Sequence, residues 1–173
     1  NEMRLLFEID KKDYQPEGEA FIRPSARAII IREGKIAMIY SRKNDYFKLP
    51  GGGIEANENA AAAMIREVRE ETGLTVIPDS VREYGYVHRI QKGKHEPIFI
   101  QDNYYYLCDV EKSVQPQELS DNEIQEDFVL RYVEPTEAVR VNRNSLCQCE
   151  ETACMLFREI GVLEMLIEEE LFE

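Results

Sequence analysis

Short β-prone runs punctuated by turn residues fill the chain as far as Val133, and an apolar period of three to four residues takes over towards its end. Residues 4–9 alternate weakly and predict a strand, whereas 11–18 are polar, contain Pro16 and Gly18, and predict a loop. Runs 26–31 and 36–40 flank Arg32-Glu33-Gly34-Lys35, a hairpin signal with Glu33-Gly34 at the turn. A short strand over 47–49 stops at Pro50. Gly51-Gly52-Gly53 then predicts a loop, because three glycines have no stable strand or helix preference. Residues 58–72 hold strong helix formers, and Gly73 sits where a left-handed cap belongs, so a helix is predicted there.

Strands are predicted at 74–77, 81–90, 97–110 and 128–133, with Gln91-Lys92-Gly93-Lys94 as a turn. The stretch 113–127 is polar and acidic, contains Pro116, and predicts a long loop that is either functional or mobile. Pro135 opens a short predicted helix over 135–141, and 148–172 predicts a long one. In the long helix Leu156, Ile160, Leu163, Ile167 and Leu171 form a stripe with two uses, packing on the chain's own sheet or a homodimer contact. One domain is expected, with a core at about 21–142 and a C-terminal helical segment at about 145–173.

Charge changes the picture in one respect. A formal net charge of −13 repels polyphosphate backbones, which excludes tight binding to bulk nucleic acid and means that a small anionic ligand needs cations as intermediaries. No apolar run approaches the ~18 residues of a membrane span, and residues 1–10 lack the uninterrupted apolar core of a secretory signal. Cys108, Cys147, Cys149 and Cys154 show no disulfide-scaffold spacing, so a cytoplasmic location is expected. The Cys147-x-Cys149-x4-Cys154 pattern has no histidine near it, and helix packing is the expected role rather than zinc.

The candidate chemistry lies on the first helix. With about 100° per residue, Glu67, Glu70 and Glu71 share one sector of about 100°. Ala60 and Ala63 lie near that face and would leave room for a ligand, while Ala61, Ile65, Val68 and Thr72 form a second, core-facing side. Three adjacent carboxylates in the last turns of a helix repel one another and oppose its dipole, so a positive partner is required. Hard oxygen donors of this kind suit Mg²⁺ or Mn²⁺; the competing reading is a solvated, salt-bridged face. The glycine run just upstream permits close backbone approach to a metal or phosphate, and Glu58 is expected to open the helix.

Together these residues read Gly52-x5-Glu58-x7-Arg66-Glu67-Val68-x-Glu70-Glu71-x-Gly73-Leu74, which resembles the Nudix box at every specified position. The Phe47-Lys48-Leu49-Pro50 segment before it and the Tyr132-Val133-Glu134-Pro135 step after it are similar to the family's layout, so the resemblance covers roughly 23–141. It implies an α/β/α sandwich with a mixed β-sheet, to which this chain adds a long C-terminal helix. By resemblance Glu67, Glu70, Glu71 and the backbone of Gly52 hold Mg²⁺, with Mn²⁺ as an alternative. Glu67 is also similar to a general base and Arg66 to the residue that orients it. Some members take the base from a loop outside the box, and here the candidates are Glu126 first and Glu123 second, with Glu118 also in that stretch.

The implied reaction is hydrolysis of a phosphoanhydride bond in a small nucleotide-like diphosphate, such as a nucleoside triphosphate or nucleotide sugar. Arg27, Lys48 and Arg89, with Arg23, are the candidate phosphate contacts, and the tyrosines at 104–106 could stack on a base. Neither the proline that marks ADP-ribose-type members nor the tyrosine of dinucleoside polyphosphate hydrolases is found at its expected place. The alternative is a catalytically silent Nudix-fold sensor or interaction module. A sensor is expected to have lost box glutamates, and all are present here.

Overall fold

The computed structural model describes residues 3–146, 148 and 150–173. Its larger sheet runs β1 (Leu5–Asp10), β9 (Arg82–Gln91), β10 (Ile98–Leu107), β3 (Ser25–Ile29), β7 (Gly51–Gly53), with β2 (Ala20–Ile22) also against β10. The sheet is mixed: β1 is parallel to β9, and β2 and β3 are parallel to β10, while β9–β10 and β3–β7 are antiparallel. A second sheet has the order β12 (Phe128–Val133), β5 (Lys35–Ser41), β4 (Ile31–Arg32), with β6 (Tyr46–Lys48) also on β5. A small ribbon pairs β8 (Leu74–Val76) with β11 (Val110–Val114). The helices are α1 (Ala60–Thr72), α2 (Asp121–Glu126), α3 (Pro135–Leu146) and α4 (Glu150–Glu168).

Alternation along β3 creates the layers. Ala26, Ala28 and the following Ile30 pack against Ala63, Met64 and Val68 of α1, and their small size lets that helix lie close. Ile29, with Val87 and Tyr105, faces the other way and meets Ala138 and Val141 of α3 and Val162, Leu163 and Leu166 of α4. The expected sandwich with its C-terminal helix is therefore present. Ala63 belongs to its core, fully buried, and leaves no room on the acidic face as its sequence position suggested.

Three local expectations change. The run 26–31 does not pair with 36–40 as one hairpin: it breaks at Ile30, β3 stays in the larger sheet, and β4 alone forms the hairpin with β5. Glu33 (φ 52°) and Gly34 (φ 77°) supply the positive angles that such a tight turn needs. The glycine run is a strand, because β3 supplies the ladder that glycine's own preference does not. Part of the polar stretch 113–127 is ordered as β11 and α2, and the short helix of 135–141 continues to Leu146.

The apolar stripe of α4 packs within the chain. Leu156, Ile160 and Leu163 are buried, Leu171 packs against the core that Leu163 joins, and Ile167 is partly exposed. Cys154 is buried on this helix, and Cys147 and Cys149 of the cysteine pattern lie outside the described residues. No helix among the described residues is long and apolar enough to cross a membrane.

Candidate active site

The helix that carries the carboxylates is capped at both ends. The Asn59 side chain accepts from the Ala62 N–H, and Gly73 closes α1 at φ 83°, returning its N–H to the Arg69 carbonyl. Glu58 thus precedes the helix instead of opening it. Its carboxylate accepts from Arg66 Nε at 3.0 Å and also from Nη2, and Arg66 followed by the Glu55 N–H holds it down at about 2. The same guanidinium reaches Glu67 at 3.0 Å, Glu70 at 3.3 Å and the Gly53 carbonyl at 3.2 Å. Arg66 therefore ties the glycine strand, the helix entry and the carboxylates of Glu67 and Glu70 together.

Close approach to backbone requires glycine at 51, and at 52 any Cβ would displace the Glu67 carboxyl. At Gly51 (φ 152°) a Cβ would fall 2.2 Å from the Ala26 carbonyl oxygen, and at Gly52 it would fall 2.6 Å from the Glu67 carboxyl carbon. The bonds from Ala28 N–H to the Pro50 carbonyl and from Ile54 N–H to the Pro24 carbonyl set the phase of the β3–β7 ladder. Gly52 is thereby engaged with Ala26, and the polar groups of Gly51 and Gly53 turn outward towards α1. The outward Gly51 N–H donates to Glu71 Oε1 at 3.1 Å. The carbonyl left facing the carboxylates is Gly51's, not that of Gly52.

Glu71 is 1% exposed, yet it keeps Lys48 Nζ at 2.9 Å. Burial pushes its carboxyl up to about 7 against the opposing pull of Lys48. The neighbouring carboxyl of Glu123, carried by α2, raises it as well. Neighbouring carboxyls are costly to ionise together. Glu67 is half-buried and raised, first by burial, although Arg66 draws it down.

Glu123 is placed by a capping box. The Ser120 hydroxyl accepts from the Glu123 N–H at 3.3 Å and the Glu123 carboxylate from the Ser120 N–H at 2.8 Å. Upstream, Gln117 Nε2 donates to the Glu71 carbonyl at 2.8 Å, and the Glu118 N–H to the Glu70 carbonyl at 2.6 Å. The stretch is thus strapped to the end of α1. Glu126 goes elsewhere: its Oε2 accepts from Ser41 Oγ and Asn44 Nδ2, both at 2.8 Å, and from Tyr46, outside the cavity. Of the two candidate bases, the structure brings Glu123 to the carboxylate cluster and keeps Glu126 out of it.

These groups surround a cavity of about 560 Å³. Its lining combines Glu67, Glu70, Glu118 and Glu123 with Arg23, Arg27, Lys48 and Arg66 and the backbone of β7. A cleft of about 590 Å³ between β1 and the α3–α4 pair is lined largely by apolar groups such as Phe7, Ile9 and Phe157, so chemistry rather than size singles out the first cavity. Arg89 does not reach it. Its guanidinium lies over the Phe99 ring and donates to Gln91 at 3.0 Å.

Among the described residues no three metal-ligating side chains stand close enough together to grip an ion in this arrangement, since Arg66 and Lys48 lie between the carboxylates. The donor set nevertheless suits a hard cation: all oxygen, with one carboxyl raised by burial despite its contact with Lys48. Because the raised form of Glu71 is protonated, its contribution to metal-free stability is present below about 4.5 and is lost as pH rises through about 7. The thermal midpoint of metal-free protein, compared with Glu71→Gln from pH 5 to 8, should therefore favour the variant increasingly as pH rises; parallel curves would refute the shift.

An α/β/α sandwich with a carboxylate-bearing helix set against a glycine strand defines the class. The match of the NUDIX domain family to residues 22–148 then shows that the chain belongs to that family. An ADP-ribose pyrophosphatase of Methanocaldococcus jannaschii is 48% identical over 77 residues, which are 41% of this chain and 43% of that protein. An RNA pyrophosphohydrolase of Xanthomonas campestris pv. campestris is 35% identical over 71 residues, 40% of this chain and 32% of that protein. The chain thus spans less than half the length of these curated relatives. In fold it is similar to a MutT NUDIX hydrolase from Burkholderia pseudomallei (TM-score 0.52, 21% identity, 67% of this chain and 85% of that one). It is likewise similar to a NUDIX hydrolase from Nitrosomonas europaea (TM-score 0.53, 17% identity, 82% and 90%).

Proposed function

We propose that this protein hydrolyses a phosphoanhydride bond in a small nucleotide-like diphosphate, with Mg²⁺ or Mn²⁺ held by Glu67, Glu70, Glu71 and the Gly51 carbonyl. The observation that carries the reading is one cavity lined both by acidic groups on α1 and α2 and by Arg23, Arg27 and Lys48, together with the backbone of β7. Divalent cations in such a site neutralise phosphate oxygens and lower the pKa of water. The chain's own residues do the remainder. Arg23, Arg27 and Lys48 take the anionic oxygens, Arg66 holds Glu67 in place, and Glu123 accepts the proton of the attacking water. A small substrate fits the net charge of −13, and the free thiols of Cys108 and Cys154 accord with a cytoplasmic location.

ADP-ribose and RNA belong in the substrate panel because relatives named for them match the chain. Release of phosphate and pyrophosphate should be followed over these, nucleoside triphosphates and nucleotide sugars, with Mg²⁺, with Mn²⁺ and with chelator. Metal-dependent turnover of at least one member, abolished by the chelator, is the expected result. Binding without turnover across the whole panel would instead establish a silent sensor.

A further inference from the structure

Helix α4 begins beyond the stretch that matches the family, yet it carries a fully buried ion pair, Arg158 with Glu159 at 3.2 Å. Stability does not account for the pair. Taking two charges out of water is costly, and apolar replacements of similar volume are often neutral or stabilising. Here the cost is raised further, since Arg158 Nε and Glu159 Oε2 meet no hydrogen-bond partner among the described residues.

What the pair does that apolar side chains could not is hold backbone and guanidinium beside the cavity. Glu159 Oε1 accepts from the Leu49 N–H at 3.1 Å, and the Leu49 carbonyl accepts from Arg27 at 3.4 Å. Arg158 donates to Asn103 Oδ1 at 3.1 Å, the same oxygen that accepts from Ser25 at 2.6 Å and from Arg27 Nε at 3.4 Å. Two residues on, the Gly51 N–H is taken by Glu71. The segment entering β7 is thus slung between a buried carboxylate of α4 and one of α1.

We propose that Arg158 and Glu159 are positioning residues, through which the C-terminal helix sets the place of Arg27 and of the glycine strand in the cavity. Neither touches the cavity itself; both act through Leu49 and Asn103. The kinetic part of this inference rests on the proposed hydrolysis, whereas its structural part does not.

The test uses the full chain as wild type, Glu159→Gln, Glu159→Leu and the double variant Arg158→Leu/Glu159→Leu. The last removes both members of the buried pair and so keeps the test valid if the single leucine variant fails to fold. Amide exchange resolved by NMR should show the Leu49 and Gly51 amides opening about tenfold or more faster in the leucine variants, with β9 and β10 amides unchanged. Glu159→Gln, whose amide oxygen can still accept from Leu49, should recover most of the protection. With ADP-ribose and Mg²⁺, the double variant should raise KM about tenfold and change kcat less than about threefold, as loss of a phosphate grip predicts. Faster exchange spread evenly over the chain, or a glutamine variant no better than leucine, would overturn the inference. If the wild type turns over no member of the substrate panel, the proposed hydrolysis fails, and the exchange measurement still decides the role of the pair.

Discussion

Glu123→Gln should lower kcat by roughly 10² to 10⁴, the usual contribution of a general base, and leave Mn²⁺ affinity nearly unchanged. Glutamine is also accepted at the third position of a capping box, so α2 and its attachment to Ser120 should survive. Glu126→Gln provides the contrast. That carboxylate accepts from Ser41, Asn44 and Tyr46 outside the cavity, and its neutralisation should cost ~1–2 kcal/mol of stability with turnover per folded molecule unaltered. Steady-state kinetics with denaturant melts of both variants separate the two effects. A loss below about threefold for Glu123→Gln, beside a large one for Glu67→Gln, would move the base role to α1.

Removing one negative charge from the cluster on α1 should affect turnover as strongly. Glu70→Gln and Glu71→Gln keep shape and lose charge, and each should reduce kcat about 10²-fold or more and weaken Mg²⁺ or Mn²⁺ binding. Their metal-free behaviour should differ. Glu71 is fully buried and bonded to Lys48 and the Gly51 N–H, so its replacement leaves the Lys48 ammonium without that counter-charge. Glu70 is half-exposed and loses only its contact with Arg66. Titration calorimetry with each metal, together with activity at saturating metal, tests both variants. Wild-type turnover at saturating metal would remove Glu70 and Glu71 from the ligand set.

The acidic face was legible because helical periodicity is strong over α1 and the residues flanking it act locally: Asn59 and Gly73 cap it, and Arg66 pairs one turn on with Glu70. The glycine strand was not legible, since its conformation is imposed by β3 across the sheet rather than by its own residues. Register, which also decides whether the Gly51 or the Gly52 carbonyl turns outward, was not legible either, as outward and inward groups alternate only once a partner strand is known. The choice between Glu123 and Glu126 carried an unused local signal, Ser120-x-x-Glu123, which places a helix in the polar stretch and aims one glutamate. Arg89 could not be excluded from its sequence, because a cation on a strand points to one face or the other according to pairing. Neither could Arg158 and Glu159 be singled out, since neighbouring opposite charges on a helix normally mark a solvated face.

The β7 strand ends the larger sheet, and a terminal strand with free backbone groups ordinarily offers a template on which another chain can add. Here the outward Gly51 N–H and Gly53 carbonyl are already taken by Glu71 and Arg66, and charged side chains crowd the approach. The groups that prepare this edge for a phosphate therefore also close it to intermolecular sheet growth. Self-association by strand addition is left to the opposite margin, where Leu5 is 48% exposed on β1, and to β2, where Ile22 is 64% exposed.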